Sequence, residues 1–518
     1  MLHLLLCVAY FAVLFALSAY GIHRLHLVIL CWKHRAKIER AASHAVVLPD
    51  AELPVATIQL PLFNESTVAA RLIQAVAKAD YPRGKLEIQV LDDSTDETQA
   101  IARAEVEKLC AKGIDAVYIH RVNRVGYKAG ALDAGLKVAK GEVLAIFDAD
   151  FIPQPSFLRD IVGHFADPDV GMVQTRWGHM NRDVSLLTRI QAQMLDGHHL
   201  VENRARYGSG LLFNFSGTGG MWRTSAIAHA GGWQHDTLTE DLDLSYRAQL
   251  AGWKFIYRPD VVSPSELPED LSALRAQQYR WAKGTVQTAR KLMKTLMTSG
   301  PLTTGQRIEA FFHLTPHFAY PLLLLLSVLL LPALVLMPAT DTLTMVLVDL
   351  PLCIATTGSL AAFYMLAESA QGRPRRGALI RLPMLIAIGT GLAPHLAKAV
   401  FEGLGNMAGE FVRTPKQGNR VGRYRARADL PILEICLALI SFAAVVASVQ
   451  TGHWFATPFA ALFTFGYGYV AVMIALEQAT RRREAMTMSL PAGTASVDPV
   501  TGERPSEQPV AVQPDLAA

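Results

Sequence analysis

Five stretches of this chain are apolar enough and long enough to cross a lipid bilayer, and their placement constrains the architecture before any motif is read. Leu2 to Tyr20, "LHLLLCVAYFAVLFALSAY", is the first, and Tyr320–Met337, Met345–Leu366, Pro431–Val449 and Trp454–Ala475 are the others. About 20 predominantly apolar residues in a helix span the hydrocarbon core. Hydrophobic residues make up 51% of the 518, and the excess lies in these blocks rather than being spread along the chain.

Basic residues orient the blocks. No Lys or Arg precedes the first run, whereas Arg24, Lys33, Arg35, Lys37 and Arg40 follow it. The small residues of "ALSA" would suit a cleaved signal peptide, but that charge distribution favours a retained anchor over residues 1–30, with Met1 outside and the following domain cytoplasmic. Two later basic loops are also expected to be cytoplasmic: Arg373, Arg375, Arg376 and Arg381, then Arg413, Lys416, Arg420, Arg423, Arg425 and Arg427. The stretch between them, Leu382–Val400, therefore does not read as a simple span. It carries Pro383, Gly389, Gly391 and Pro394, so we expect irregular backbone that re-enters the membrane or lies at its interface. Residues 301–480 are thus assigned to transmembrane and interfacial helices, and the Pro-, Ala-, Ser- and Thr-rich residues 485–518 to a disordered tail.

Between about Pro54 and Lys294 the texture changes to that of a cytoplasmic α/β domain, placed at residues 50–300. "VATIQLP", "LEIQVLDD", "AVYIHR", "EVLAIFDAD" and "GMVQTRW" read as strands alternating with helical stretches. That alternation predicts a mostly parallel sheet flanked by helices. Ser94-Thr95-Asp96-Glu97 has the pattern of a capping box opening a helix that runs to about Lys112. A formal net charge of +4 gives no argument for nucleic acid as a partner, and the five cysteines have no C-x-x-C spacing, so neither a disulfide framework nor a zinc site follows.

Chemistry concentrates at strand ends. In "EVLAIFDADFIP" an apolar strand closes on Asp148 and Asp150, which would share one face if the strand persists. Two such anions repel unless a cation lies between them, and Mg2+ or Mn2+ prefers oxygen ligands; a solvated turn is the alternative. Asp92 and Asp93 close a second strand at the edge where open α/β sheets bind ligands. No P-loop is present, so a bound diphosphate would need another device, which a carboxylate-held metal supplies. Glu240 and Asp241 fall in the first turn of a helix, as helix-start acids or as a general base. In "RAQQYRWAKGT", Arg280 could grip a diphosphate and Trp281 could stack on a sugar, or the segment could be an amphipathic helix burying an indole at the membrane surface. Lys128 is a surface lysine or a phosphate contact, the His198-His199 pair reads as structural, and Trp177, Trp222, Trp233 and Trp253 read mostly as core.

Taken in order, Asp93, "DAD" at Asp148–Asp150, "TED" at Thr239–Asp241 and "QQYRW" at Gln277–Trp281 resemble the D, DxD, TED, QxxRW series of processive family-2 glycosyltransferases. "LPLFNE", "LDDSTDET", "YKAGAL", "FNFSGTGGMWR" and "EFVRTPK" are most similar to the cellulose-synthase-like, mannan-synthase-like branch, over roughly residues 54–430. The resemblance implies a GT-A catalytic domain on a multi-pass membrane protein of the plasma (inner) membrane. It implies inverting transfer of a hexose from UDP-glucose or GDP-mannose to a β-linked polysaccharide, coupled to translocation; a nonprocessive enzyme with a lipid acceptor shares most of the motifs. It further implies Glu65, Asp93, Lys128, Asp148, Gln277 and Arg280 as donor contacts and Asp148 with Asp150 as ligands of Mg2+ or Mn2+. Asp241, beside Glu240, would be the base, and Gln278 and Trp281 would meet the acceptor. Membrane lipids are implied partners, and accessory export subunits are compatible with the family. No cyclic-dinucleotide module follows the membrane region. A transporter with a regulatory domain fits the apolar blocks but leaves the acids without a task.

Overall fold

The computed structural model describes residues 2–43, 46–298, 300–337, 343, 345–405 and 431–489. Seven strands form one sheet: β1 (Ala56–Leu62), β2 (Leu86–Asp92), β3 (Asp115–His120), β4 (Val143–Ile146), β5 (Val170–His179), β6 (Gly220–Arg223) and β7 (Lys254–Ser265). Their order is β3-β2-β1-β4-β6-β5-β7. The pairings β1–β2, β2–β3, β1–β4 and β5–β7 are parallel, while β6 runs antiparallel to both β4 and β5. All five strands expected from the sequence are present and the sheet is mostly parallel. The two that were not anticipated lack the usual signals: β6 is four residues behind a glycine run, and β7 contains Pro259 and Pro264, tolerated because it is an edge strand.

Central strands are covered on both faces, which explains their apolar runs. Their polar residues pair across the sheet instead of facing water. Thr57 donates to Glu87 at 2.7 Å and the Gln59 amide to Gln89 at 2.9 Å, at register positions directly opposite one another. Because β1, β2 and β4 are parallel, their carboxyl ends open on one rim, and the segments after them carry Glu65, Asp93, Asp148 and Asp150.

Two local expectations fail. The strand does not persist through "DAD": β4 ends at Ile146, and Asp148–Asp150 form a turn closed by the Phe151 N–H to the Asp148 carbonyl at 3.0 Å. The Thr218 hydroxyl fixes this turn by accepting from the Asp148 N–H at 2.9 Å, so turn geometry rather than strand alternation aims the acids. The capping box is likewise absent. The helix begins at Thr98, its N-cap Glu97 makes no side-chain cap, and the Ser94 hydroxyl instead accepts the Asn64 N–H at 2.7 Å, tying the β1 and β2 rim loops together.

Six helices among the described residues are long and apolar enough to cross a membrane: Leu4–Lys33, Pro316–Leu336, Val346–Ser369, Arg375–Gly405, Ile432–Gln450 and Thr457–Thr480. Arg375–Gly405 overturns the expectation of irregular backbone, since it is one continuous helix through Pro383 and Pro394. Helices on several sides, including 457–489, 271–298 and 359–369, pack against it and offset the two missing N–H groups. Gly391 and Gly466 allow the closest of these approaches; a Cβ on Gly391 would lie 2.4 Å from the Gly466 carbonyl oxygen. Both ends of this helix dock on the α/β domain. Near its start Arg381 donates to Gln193 at 2.7 Å; near its end Glu402 accepts from Lys283 at 3.0 Å.

The N-terminal helix Leu2–Lys33 is built into the same assembly. Its Leu27 and Cys31 are buried, and its His23 meets Glu309 at 2.7 Å. The second basic loop, the "EFVRTPK" motif and residues 490–518 of the expected tail lie outside the described residues; residues 485–489, expected in that tail, continue the helix Thr457–Ser489.

Candidate active site

Ten of the eleven site residues named from the sequence line one cavity of about 190 Å³ at the carboxyl rim of the sheet: Glu65, Asp93, Lys128, Asp148, Asp150, Glu240, Asp241, Gln277, Arg280 and Trp281. Gln278, one residue further round its helix, is buried and faces an adjoining cavity of about 300 Å³.

Lys128 sits in the first turn of the helix Tyr127–Leu136, which is entered through two left-handed residues, Gly126 (φ 74°) and Tyr127 (φ 49°). That entry turns the ammonium back over the rim. Its Nζ lies 2.5 Å from Asp148 Oδ1 and 2.9 Å from the Gly217 carbonyl oxygen. Burial pulls the Lys128 pKa down, but the carboxylates of Asp148, Glu240 and Asp241 outweigh it and hold the group above its ordinary value. Gly217 is itself left-handed (φ 82°), and a Cβ there would stand 3.0 Å from Asp241 Oδ2. The glycine-rich "FSGTGG" is therefore the close neighbour of the Asp241 carboxylate.

Asp241 opens the helix Glu240–Leu250, and its Oδ1 accepts the Leu242 N–H at 2.8 Å. Desolvation, reinforced by the adjacent Glu240 carboxylate and opposed by Lys128, raises its pKa from 3.8 to about 7. Glu240 is also raised, by burial first and by Asp148. A carboxylate poised near neutrality suits general-base work. The helix Leu271–Thr298, which carries Gln277, Arg280 and Trp281, holds this turn in place. The Gln287 side chain accepts the Leu238 N–H at 2.9 Å, and a Cβ on Gly284 would collide with Thr239 at 2.6 Å. The "TED" and "QQYRW" segments are thus one packed unit.

Asp148 and Asp150 both reach the cavity, the first one-third exposed and the second buried. They suit a hard divalent ion, which binds through one or two carboxylates and takes its remaining oxygens from phosphate and water. No group of three or more His, Cys, Asp or Glu side chains is clustered for metal binding among the described residues, so the two acids would act together with a ligand.

Sequence reasoning missed several participants. Arg121, just beyond β3, forks both oxygens of Asp93, with Nε to Oδ1 at 2.8 Å and a terminal nitrogen to Oδ2 at 2.5 Å. It also donates to the carbonyls of Val125 and Tyr127, so one arginine fixes both the acid and the loop leading to Lys128. Arg124 lies 3.3 Å from the centre of the Phe63 ring at the cavity wall. Trp222 and Trp233 are core as expected, but Trp177 is not; it lines the cavity. His198 is structural, bonding Glu202 at 3.0 Å.

Comparison with known proteins fits this geometry. Residues 54–284 match "Glycosyltransferase like family 2". The chain is 35% identical over 454 residues to a glucomannan 4-beta-mannosyltransferase 1 of Oryza sativa subsp. japonica, covering 82% of this chain and 85% of the relative. It is 33% identical over 455 residues to glucomannan 4-beta-mannosyltransferase 9 of Arabidopsis thaliana, covering 83% of each. Among solved structures, the mannosyltransferase PcManGT from Pyrobaculum calidifontis, in complex with GDP-Man and Mn2+, aligns at TM-score 0.50 and 23% identity. The alignment covers 69% of this chain and 97% of that one, a likeness of GT-A fold.

Proposed function

The chain belongs to glycosyltransferase family 2, with cellulose-synthase-like glucomannan 4-beta-mannosyltransferases as relatives, and from that premise we propose that it transfers mannose from GDP-mannose to the free end of a β-linked glycan. One observation carries the reading. A base, two oxygen ligands for a hard cation and two cationic side chains converge on a single cavity in a chain 35% identical to a glucomannan 4-beta-mannosyltransferase.

Asp148 and Asp150 would hold Mg2+ or Mn2+, which when bound neutralises charge on the diphosphate. Lys128 and Arg280 lie where they can stabilise the same group as it leaves. Asp93, locked by Arg121, and Glu65 line the same cavity and would contact the nucleotide part of the donor. Asp241 removes the proton from the acceptor hydroxyl as its oxygen attacks the anomeric carbon. One displacement needs one base and no protonating acid, and it inverts an α-linked donor to a β-linked product.

The Arg375–Gly405 helix is about 46 Å long at 1.5 Å per residue, yet it touches the α/β domain near both ends. A helix crossing the bilayer would carry one end away from a domain on one side, so we place this helix at the cytoplasmic interface. The other five then span, and the basic residues around it fall on the cytoplasmic side of the plasma (inner) membrane. Translocation is supported by a run of cavities. The 300 Å³ cavity shares Arg24, Glu202 and His317 with one of about 530 Å³ among the membrane helices, which itself reaches Tyr10 and Phe463.

The test is turnover by the purified protein in lipid nanodiscs with GDP-mannose, UDP-glucose and UDP-N-acetylglucosamine in turn, with and without chelator. Chelator-sensitive GDP release with a long β-mannan product is expected. A single sugar on lipid would move the enzyme to the glycolipid class, and release with a uridine donor alone would refute the mannose assignment.

A further inference from the structure

Resting on the glycan-synthase reading above, we propose that Trp177 is a second acceptor-positioning residue, forming a wall of the subsite that holds the terminal sugar while Asp241 takes its proton. The donor cavity and the 300 Å³ cavity meet along a border that includes Trp177, Ser216, Thr239, Asp241, Gln277 and Trp281. A base that lies on such a border serves reactants on both sides. The donor's anomeric carbon comes from the cavity of the metal-binding acids, so the acceptor hydroxyl comes from the other. The motif places one tryptophan on that border, and the fold adds Trp177 from β5.

Its indole is held on three sides. The ring N–H donates to the Thr218 carbonyl at 3.3 Å, Phe151 meets it edge-on at 5.3 Å and 72°, and His199 lies against it at 5.1 Å and 40°. Phe151 follows Asp150 directly, and the Thr218 hydroxyl accepts the Asp148 N–H. The wall is therefore fixed to the same turn that carries the metal-binding acids, and the spacing from acceptor to donor is set within one packed unit.

The third support comes at a cost. His199 belongs to a single π-helical turn, His198–Glu202, which interrupts the helical run from Leu186 to Ser209. The ring is buried, and neither nitrogen has a hydrogen-bond partner. Burial keeps it neutral by lowering its pKa well below the ordinary value. A π-turn and an unsatisfied buried imidazole are both unfavourable unless the geometry they impose is used. Here they press a neutral ring against the indole. A fixed aromatic face recognises the C–H side of a sugar and offers nothing to water, so Trp177 favours transfer to a glycan over hydrolysis of the donor.

The experiment uses the full chain in nanodiscs as Trp177→Leu, Trp177→Phe and Trp253→Phe, the last a substitution outside the site. Three quantities are read: binding of β-mannotetraose without donor, mannosyl transfer to it from GDP-mannose, and GDP release without acceptor. Trp177→Leu should weaken tetraose binding and raise the acceptor KM at least tenfold. Donor KM should stay within about twofold and the ratio of hydrolysis to transfer should rise; Trp177→Phe should fall between. Unchanged tetraose binding in Trp177→Leu, or equal losses of transfer and hydrolysis, would overturn the assignment. Trp177→Phe carries the decision if the leucine variant does not fold. A wild type that binds tetraose but does not use GDP-mannose would sink the donor reading and leave the tetraose comparison to decide this one; a wild type that binds no tetraose would overturn it.

Discussion

The pKa of Asp241 offers the sharpest test of the catalytic reading, because burial and Glu240 move it from 3.8 to about 7 while Lys128 restrains it. As a base Asp241 must be ionised. With a value of about 7, about one molecule in eleven is active at pH 6 and about ten in eleven at pH 8, so kcat/KM for the donor should rise about tenfold across that interval. An ordinary aspartate would be fully ionised throughout and give a flat profile. The measurement is initial GDP release at subsaturating donor and constant ionic strength, because kcat/KM reports the free enzyme. Asp241→Asn should be slower by about 10²–10⁴-fold and lack the acid limb. Stability supplies a second readout. A carboxyl whose folded pKa is raised binds its proton more tightly when folded, so as pH climbs from about 4 to about 7 the wild type loses more stability than Asp241→Asn, which retains only the raised Glu240. The variant should therefore unfold at a higher temperature than wild type at pH 8, with the gap closing towards pH 4. A flat wild-type rate profile between pH 6 and 8, or an acid limb that survives in Asp241→Asn, would refute the argument.

Other expectations follow from the same contacts. Asp150→Asn should abolish chelator-sensitive turnover and weaken Mn2+ binding, read by electron paramagnetic resonance in the presence of GDP, with the melting temperature changed little; Mn2+ binding like that of wild type would remove Asp150 from the metal site. Arg121→Ala should raise donor KM at least tenfold with a smaller change in kcat, because Asp93 loses its fork, and Arg121→Lys should recover only part of it. Glu368 is buried between Arg182 and Arg381, so Glu368→Ala removes one carboxylate from each while Arg182 keeps Asp196 and Arg381 keeps Gln193, and it should destabilise the protein by about 1–3 kcal/mol, read as the shift in thermal unfolding.

Sequence alone determined the layout and the chemistry's raw materials. The apolar blocks, the five alternating strands and the order of the acidic motifs are each written within a dozen or so consecutive residues, where periodicity and spacing have direct physical meaning. That these acids would gather at one cavity was legible because strand ends in an open sheet converge, even though the turn after β4, not the strand itself, aims Asp148 and Asp150. Tertiary structure decided the rest. Arg121 reaches Asp93 across 28 positions, Glu402 reaches Lys283 across 119, and the groups that raise or restrain the Asp241 pKa include Lys128 from a different element. The helix Arg375–Gly405 stays continuous through two prolines because neighbouring helices enclose it, which no local pattern announces. Trp177 could not be told apart from the other three tryptophans, which read mostly as core, for the same reason: a tryptophan on a strand has the same local signature whether its face meets other side chains or a cavity, and only the packing of the elements around it settles which.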